Sequence, residues 1–328
     1  MSYFINAPIL FSNSITCITS GSRAGLYIIV LLGVIESFCG EPLFAKRKKD
    51  KIEEAKPSAE ELFVKNNFEE KRCAEWSKGR RFIYVSDDLS LLLKPEQDTV
   101  PTHVSFKNKI FTFAGMIEKS ILGQAQYAVL IFDCEGIKYQ YRTEKTIKEI
   151  KDSDYKPLLP DMVAEEDVLK ARKMLIGKTL YIKTSIWYDE NGVEIGGHKF
   201  VPVVIKDILP GDKVLPIKFV FEDNVGNTAN VLGTLFPETL ATQYTTFDRL
   251  FSFDNPRNLY KTISDVNWDL ITKSKVMKGM TKDECRLSLG RPNDVRRIPT
   301  YGGLKEQWFY NTGSYLFFED GILTDFRL

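Results

Sequence analysis

The chain has 328 residues, 43% of them hydrophobic and 27% charged, a globular composition unlike that of a disordered tail or a fibre. Lys+Arg total 45 against Asp+Glu 44, so no global field draws the protein onto phosphate backbones, and nucleic acid is not the expected partner. With only two histidines, His103 and His198, His-rich metal sites are excluded and few groups remain for general-base chemistry near neutral pH.

Between Met1 and Ile35 the one charged residue is Arg23, directly before the 12-residue apolar run Ala24–Ile35. A membrane span takes about 20 apolar residues and a secretory h-region about 7–15, so residues 1–40 are expected to direct export. Small residues at Ser37, Cys39 and Gly40 offer a peptidase site, and Cys39 is the candidate lipid-accepting cysteine. The competing reading is an uncleaved inner-membrane anchor. Lys46-Arg-Lys-Lys49 follows the run closely, and a positive cluster there holds the downstream chain in the cytoplasm.

Residues 41–81 carry 21 charged side chains in 41 positions, with Pro57 followed by the capping-box pattern Ser58-Ala-Glu-Glu61, which opens a helix toward Trp76. Leu62, Phe63, Phe68 and Trp76 are sparse for a helical stripe, so 41–80 reads as a charged, solvated helical spacer.

From Arg81 the texture changes to short β-branched and aromatic runs: Phe82–Val85, Lys109–Phe113, Tyr127–Phe132, Lys138–Arg142, Thr179–Thr184, Phe200–Ile205, Ile217–Phe221 and Asn230–Thr234. One helix is inserted at Ala164–Ile176, with Val168, Ala171, Leu175 and Ile176 at helical spacing and Gly177 at its end. A β-rich antiparallel body over 81–261 is predicted, in one piece or as two halves, 81–160 and 161–261.

Several side-chain groups in this body invite chemistry. Asp189-Glu-Asn-Gly192 and Glu222-Asp-Asn-Val-Gly226 offer oxygen ligands but lack the calcium-loop pattern, and read as hairpin turns. Glu165-Glu166-Asp167 opens the inserted helix, where negative charge complements the helix dipole. Lys78, Arg80 and Arg81 flank Trp76 and Phe82, the mix that single-stranded nucleic acid binders use, here as one small cluster. The five cysteines are widely spaced and form no CxxC, and Cys134 shares a strand face with Leu130 and Phe132 as a core residue. No phosphate loop, GxSxG elbow or HExxH helix occurs. A hydrolase-type enzyme using His198 or His103 with Cys73, Cys134 or a carboxylate is the runner-up to a binding protein.

In the last stretch Ser264 caps a helix through Ile271 and on toward Val276, which Gly279-Met-Thr281 breaks, and the capping box Thr281-Lys-Asp-Glu284 opens another that closes at Gly290 with Pro292 beyond. Strand runs follow at 293–300, 306–310, 314–319 and 322–326. Gly279-Met-Thr281, Leu289-Gly-Arg-Pro292, Trp308-Phe-Tyr310 and Phe318-Glu-Asp-Gly321 occur in order. On these residues the segment 262–328 resembles the SmpA/OmlA family of small bacterial envelope lipoproteins, which includes the BamE component of the outer-membrane β-barrel assembly machine. The resemblance implies two helices packed on a three-stranded antiparallel sheet, Cys285 in the core, and an address in the periplasm or at the outer membrane. Known members are little more than this module, whereas here it ends a longer chain.

The overall expectation is an α+β protein: a signal or anchor at 1–40, a spacer at 41–80, the β-rich body at 81–261 and the BamE-like module at 262–328. Its role is expected to be non-catalytic binding in the envelope, linked to outer-membrane protein assembly or envelope integrity. Trp308, Tyr310 and Tyr315, with Phe317, are the candidate partner contacts. No motif calls for a metal, cofactor or small-molecule ligand.

Overall fold

The computed structural model describes residues 56–96, 105–120, 126–212, 214–236, 244–300 and 303–328. The expected signal or anchor, Cys39 and His103 lie outside the described residues. The fold is α+β, and its named strands pair antiparallel throughout.

Helix α1 (Ala59–Asn67) begins at the capping box read from the sequence: Glu61 N–H donates to Ser58 Oγ (3.1 Å), and Ser58 N–H donates to a Glu61 carboxylate oxygen (2.7 Å). It ends well short of Trp76, because Phe68 turns into extended backbone and is buried. The described part of the spacer is not a solvated stalk. Phe63 packs against Phe247 (5.4 Å between ring centroids), Glu60 is buried and accepts from Phe253 N–H (2.8 Å), and Cys73 is fully buried in a different core. Most of the charges face water, Glu60 excepted, while a few aromatics fasten the segment to the body.

The first sheet contains β1 (Arg81–Tyr84), β2 (Leu93–Pro95), β3 (Ile110–Ser120), β4 (Gln126–Cys134), β5 (Ile137–Arg142) and β6 (Met162–Ala164), in the order β2-β5-β4-β3-β1-β6. A tight turn joins β4 to β5, with Glu135 at φ 52° and Gly136 at φ 82°, the left-handed pair that matches strand twist. Phe82, Phe111, Phe113, Phe132 and Tyr139 fill the core beside it, and Leu130, Phe132 and Cys134 share that core as expected. The short helix α2 (Ile147–Lys151) adds Ile150 to it. Helix α3 (Glu165–Leu175) follows β6 and buries Val168, Ala171 and Leu175 in the core of the next sheet.

The second sheet holds β7 (Thr179–Ile182), β8 (Ile186–Tyr188), β9 (Glu194–Gly196), β10 (Val201–Pro210), β11 (Ile217–Glu222), β12 (Thr228–Gly233) and β13 (Phe251–Ser252). Their order is β13-β7-β10-β11-β12-β8-β9. Along β11, Ile217, Phe219 and Phe221 are buried and alternate with Lys218, Val220 and Glu222, the period-two pattern of a sheet covered on one face. That face meets α1, α3 and the short helix α4 (Phe247–Leu250). The body at 81–261 therefore has two sheets, each with its own core, and the first sheet takes in β6 at 162–164, beyond residue 160.

In the last segment α5 (Asp265–Thr272) starts at Ser264, whose hydroxyl accepts from Asn267 N–H, and α6 (Lys282–Leu289) starts at the Thr281/Glu284 capping box. Gly290 closes α6 at φ 84°. The sheet here has four strands, not the three that the family resemblance implies: β14 (Asp294–Thr300), β15 (Gly303–Phe309), β16 (Tyr315–Glu319) and β17 (Ile322–Arg327) form a meander in chain order. Its core is Ile271, Met280, Cys285, Trp308, Leu316, Phe318 and Leu323. The module is fastened to the second sheet through the turn before β10. Lys199 N–H donates to Thr272 O (2.9 Å), its ammonium donates to Ser288 O, and Phe200 stacks on Trp268 (5.6 Å). Burial pushes the Lys199 ammonium down to about 8.

Candidate functional site

The C-terminal sheet has two unlike faces. Toward α5 and α6 point Glu306, Trp308, Leu316, Phe318 and Leu323, all buried. Trp308 is 1% exposed, its ring lies 4.6 Å from that of Phe318, and its indole N–H donates to Glu306 (3.2 Å). Burial by itself would raise the Glu306 carboxyl, but hydrogen bonds from Lys282 and Trp308 outweigh it and hold the group below its ordinary range. Trp308 is therefore a core residue and not the partner contact proposed from its sequence. Tyr310 packs against the same core with its hydroxyl 3.3 Å from Gly290 O, and burial pushes that hydroxyl up to about 12.

Tyr315 lies on the opposite face. It pairs across the strands with Phe309, and its ring meets Phe317 edge-on at 5.3 Å. The Arg296 guanidinium caps the Phe309 ring at 4.8 Å. Phe309, Tyr315 and Phe317 are half-buried and belong to none of the described cores, so they form an aromatic strip along the outer face of the sheet. Phe309 was legible in principle, since it alternates with Trp308 and must face the other way.

A second site lies between the two central sheets. Trp76 and Arg80 from the segment before β1, Phe82 from β1, Asp167 from the opening of α3, Pro216 just before β11 and Leu235 just after β12 line a cavity of about 150 Å³. The Arg80 side chain is only 9% exposed, and its guanidinium carbon lies 4.8 Å from the Trp76 ring centroid and 5.1 Å from that of Phe82. Nη2 is 3.1 Å from Glu166, a carboxylate that also pairs with Lys71 at 3.2 Å. Nε and Nη1 are buried and have no hydrogen-bond acceptor among the described residues. Leaving a buried donor unmade costs about 1–3 kcal/mol, so this arrangement is held by its surroundings and not by its own bonds.

Beside it, burial first and then the negative charge of Glu166 push the Asp167 carboxyl up to about 6, against the opposing pull of Arg80, Lys71 and Lys170. Glu165 and Glu166 sit in the first turn of α3 as read, and there they pair with Arg81 (3.0 Å) and with Arg80. The basic and aromatic cluster around Trp76 is thus split. Arg80 turns inward and Arg81 is tied to Glu165.

The remaining candidates are placed as follows. His198 is exposed on the turn between β9 and β10. Burial pushes the thiols of Cys73 and Cys134 up to about 11, and that of Cys285 up to about 12, so none is poised as a thiolate. Asp189 Oδ1 accepts from Asn191 and Val193 N–H, and Asp223 Oδ1 from Val225 and Asn227 N–H, so both carboxylates are engaged in closing hairpin turns. Among the described residues no group of three or more His, Cys, Asp or Glu is arranged to hold a metal ion, and no helix is long and apolar enough to cross a membrane. Compared with known proteins, the chain matches no family model, no curated protein and no solved structure.

Proposed function

We propose that the chain is a non-catalytic binding protein of the bacterial cell envelope, brought to the membrane by residues 1–40, that meets a protein partner with the outer face of its C-terminal sheet. The observation that carries this reading is the half-buried strip of Phe309, Tyr315 and Phe317, on the face turned away from the helices. Aromatic side chains offer large contact area at small entropic cost and are enriched where proteins meet. The resemblance of 262–328 to SmpA/OmlA lipoproteins supports outer-membrane protein assembly or envelope integrity as the process served. The hydrolase reading has less support, because His198 lies on an exposed turn and burial disfavours the thiolate of both Cys73 and Cys134.

Replacing Tyr315 and Phe317 together by alanine is expected to abolish capture of the partner by cross-linking in the native envelope. The melting temperature should move by no more than about 5 °C, as for side chains outside the core. A double variant that retains the same cross-linked partner would contradict the assignment of this face.

A further inference from the structure

We propose that the outer face of the C-terminal sheet docks on the same face of a second copy of this chain, the two copies being related by a two-fold axis that runs along the strands between β15 and β16. The inference rests on the reading of this face as a partner surface and names the partner. Residues opposite one another on neighbouring strands share a face, so the register lays out the outer face as three rows across β14, β15, β16 and β17. The first row is Asp294, Phe309, Tyr315 and Arg327, and the second is Arg296, Gln307, Phe317 and Asp325. The third is Ile298, Lys305, Glu319 and Ile322. Trp308, Leu316 and Phe318, which alternate with them, are buried toward the helices, whereas every member of the three rows is at least partly exposed.

Each row reverses its charge from end to end. A two-fold turn about the strand direction sets every row on its own copy in reverse order, β14 over β17 and β15 over β16. Asp294 then meets Arg327 of the second copy, Arg296 meets Asp325, Lys305 meets Glu319 and Ile298 meets Ile322. At the centre Phe309 lies on Tyr315 and Gln307 on Phe317, so opposite charges ring an aromatic middle. The other two-fold in the plane, across the strands, would set Arg296 on Arg296 and Asp325 on Asp325, which selects the first. The ion pairs already on the face, Asp294 with Arg296 (3.6 Å), Glu319 with Lys305 (2.8 Å) and Asp325 with Lys278 (2.8 Å), join exposed side chains and hold weakly, so these charges stay open to pairing across the interface. Sheets pack about 10 Å apart and about 30° from parallel, a gap that the rings fill from both sides and an offset that arginine and lysine side chains span. A face of four strands and three rows lies at the small end of specific interfaces, so the dimer should be reversible, with a dissociation constant on the order of 10 μM.

The test is sedimentation velocity of the full chain from about 1 to about 200 μM, where a monomer–dimer equilibrium is expected. Asp294→Arg and Arg327→Asp should each weaken the dimer at least tenfold, because each sets two pairs of like charges against one another. Mixed together, the two single variants should associate about as tightly as the native chain, since each supplies the charge that the other lacks. The variant carrying both changes should recover self-association. Both side chains are exposed, so the fold is kept, and an unchanged melting temperature checks this. A chain that stays monomeric to the highest concentration, a dimer that neither reversal weakens, or mixed variants that associate no better than either alone would overturn the proposal. A monomeric chain whose cross-linked partner in the envelope is a different protein, lost on replacing Tyr315 and Phe317, would remove the second copy and leave the partner face standing. Retention of that partner by the double alanine variant would remove the face itself.

Discussion

Trp308→Ala is expected to destabilise the protein by about 3–5 kcal/mol, the range for removing a large aromatic side chain from a packed core. Its indole is 1% exposed and lies against Phe318, and the Arg286 guanidinium sits 5.1 Å over the ring. Truncation leaves a cavity between α6 and the sheet, and it also removes the indole donor to Glu306, a carboxylate that is itself buried and also held by Lys282 at 3.1 Å. Trp308→Phe should cost less, because much of the volume is kept while the hydrogen bond is lost. Tyr315→Ala provides the contrast: on the outer face it should cost about 1 kcal/mol or less. Urea denaturation of the three variants checks the ranking. A Tyr315→Ala loss equal to that of Trp308→Ala would mean that the two faces of the sheet have been exchanged.

Asp167→Asn is expected to stabilise the protein at pH 7.5 and to have almost no effect near pH 4. Burial raises the folded-state carboxyl from an ordinary 3.8 to about 6. A raised carboxyl favours the folded state fully below its unfolded value, and that advantage is lost as pH rises through the folded value. The two-unit displacement sets an upper bound of about 3 kcal/mol on the loss, since one unit corresponds to about 1.4 kcal/mol. Asparagine cannot ionise, so the difference between variant and native stability should grow between pH 4 and pH 7 and then level off. Glu284 and Glu306 are held below their ordinary values and push the other way on acidification, because their contribution is lost as pH falls. Taking the difference from the native protein at each pH removes their share. A flat difference across that range would mean that Asp167 is not desolvated beside Arg80.

The elements legible in the sequence are those with local causes. Helices α1, α5 and α6 begin where Ser58, Ser264 and Thr281 cap them, and the eight β-branched and aromatic runs of the body each become a strand. The short strands β2, β6, β8, β9 and β13 have two or three residues each and were not legible, since they exist only through their neighbours in the sheets. The docking of α1 was hidden by composition, because a segment dense in charge still fastens itself with Phe63, Val64 and Phe68 and with the buried Glu60 carboxylate. On the C-terminal sheet the aromatic residues were visible but their faces were not separated, which is why Trp308 and Tyr310 stood beside Tyr315 as equal candidates. In the sequence Arg80 is one member of a small basic and aromatic cluster with Lys78, Arg81, Trp76 and Phe82. Its burial depends on α3 and on the second sheet, which arrive from more than 80 residues further along the chain, so no local pattern announces the site.

Export is the premise on which a partner in the envelope depends, and it is read most directly from the intact mass and N-terminal sequence of the protein recovered from fractionated cells of its native host. The expected result is a processed chain in the envelope fraction, beginning at Cys39 with added lipid mass or just after it at Gly40 or Glu41. A full-length chain still carrying Met1, found in the soluble cytoplasmic fraction, would contradict the proposed address and role.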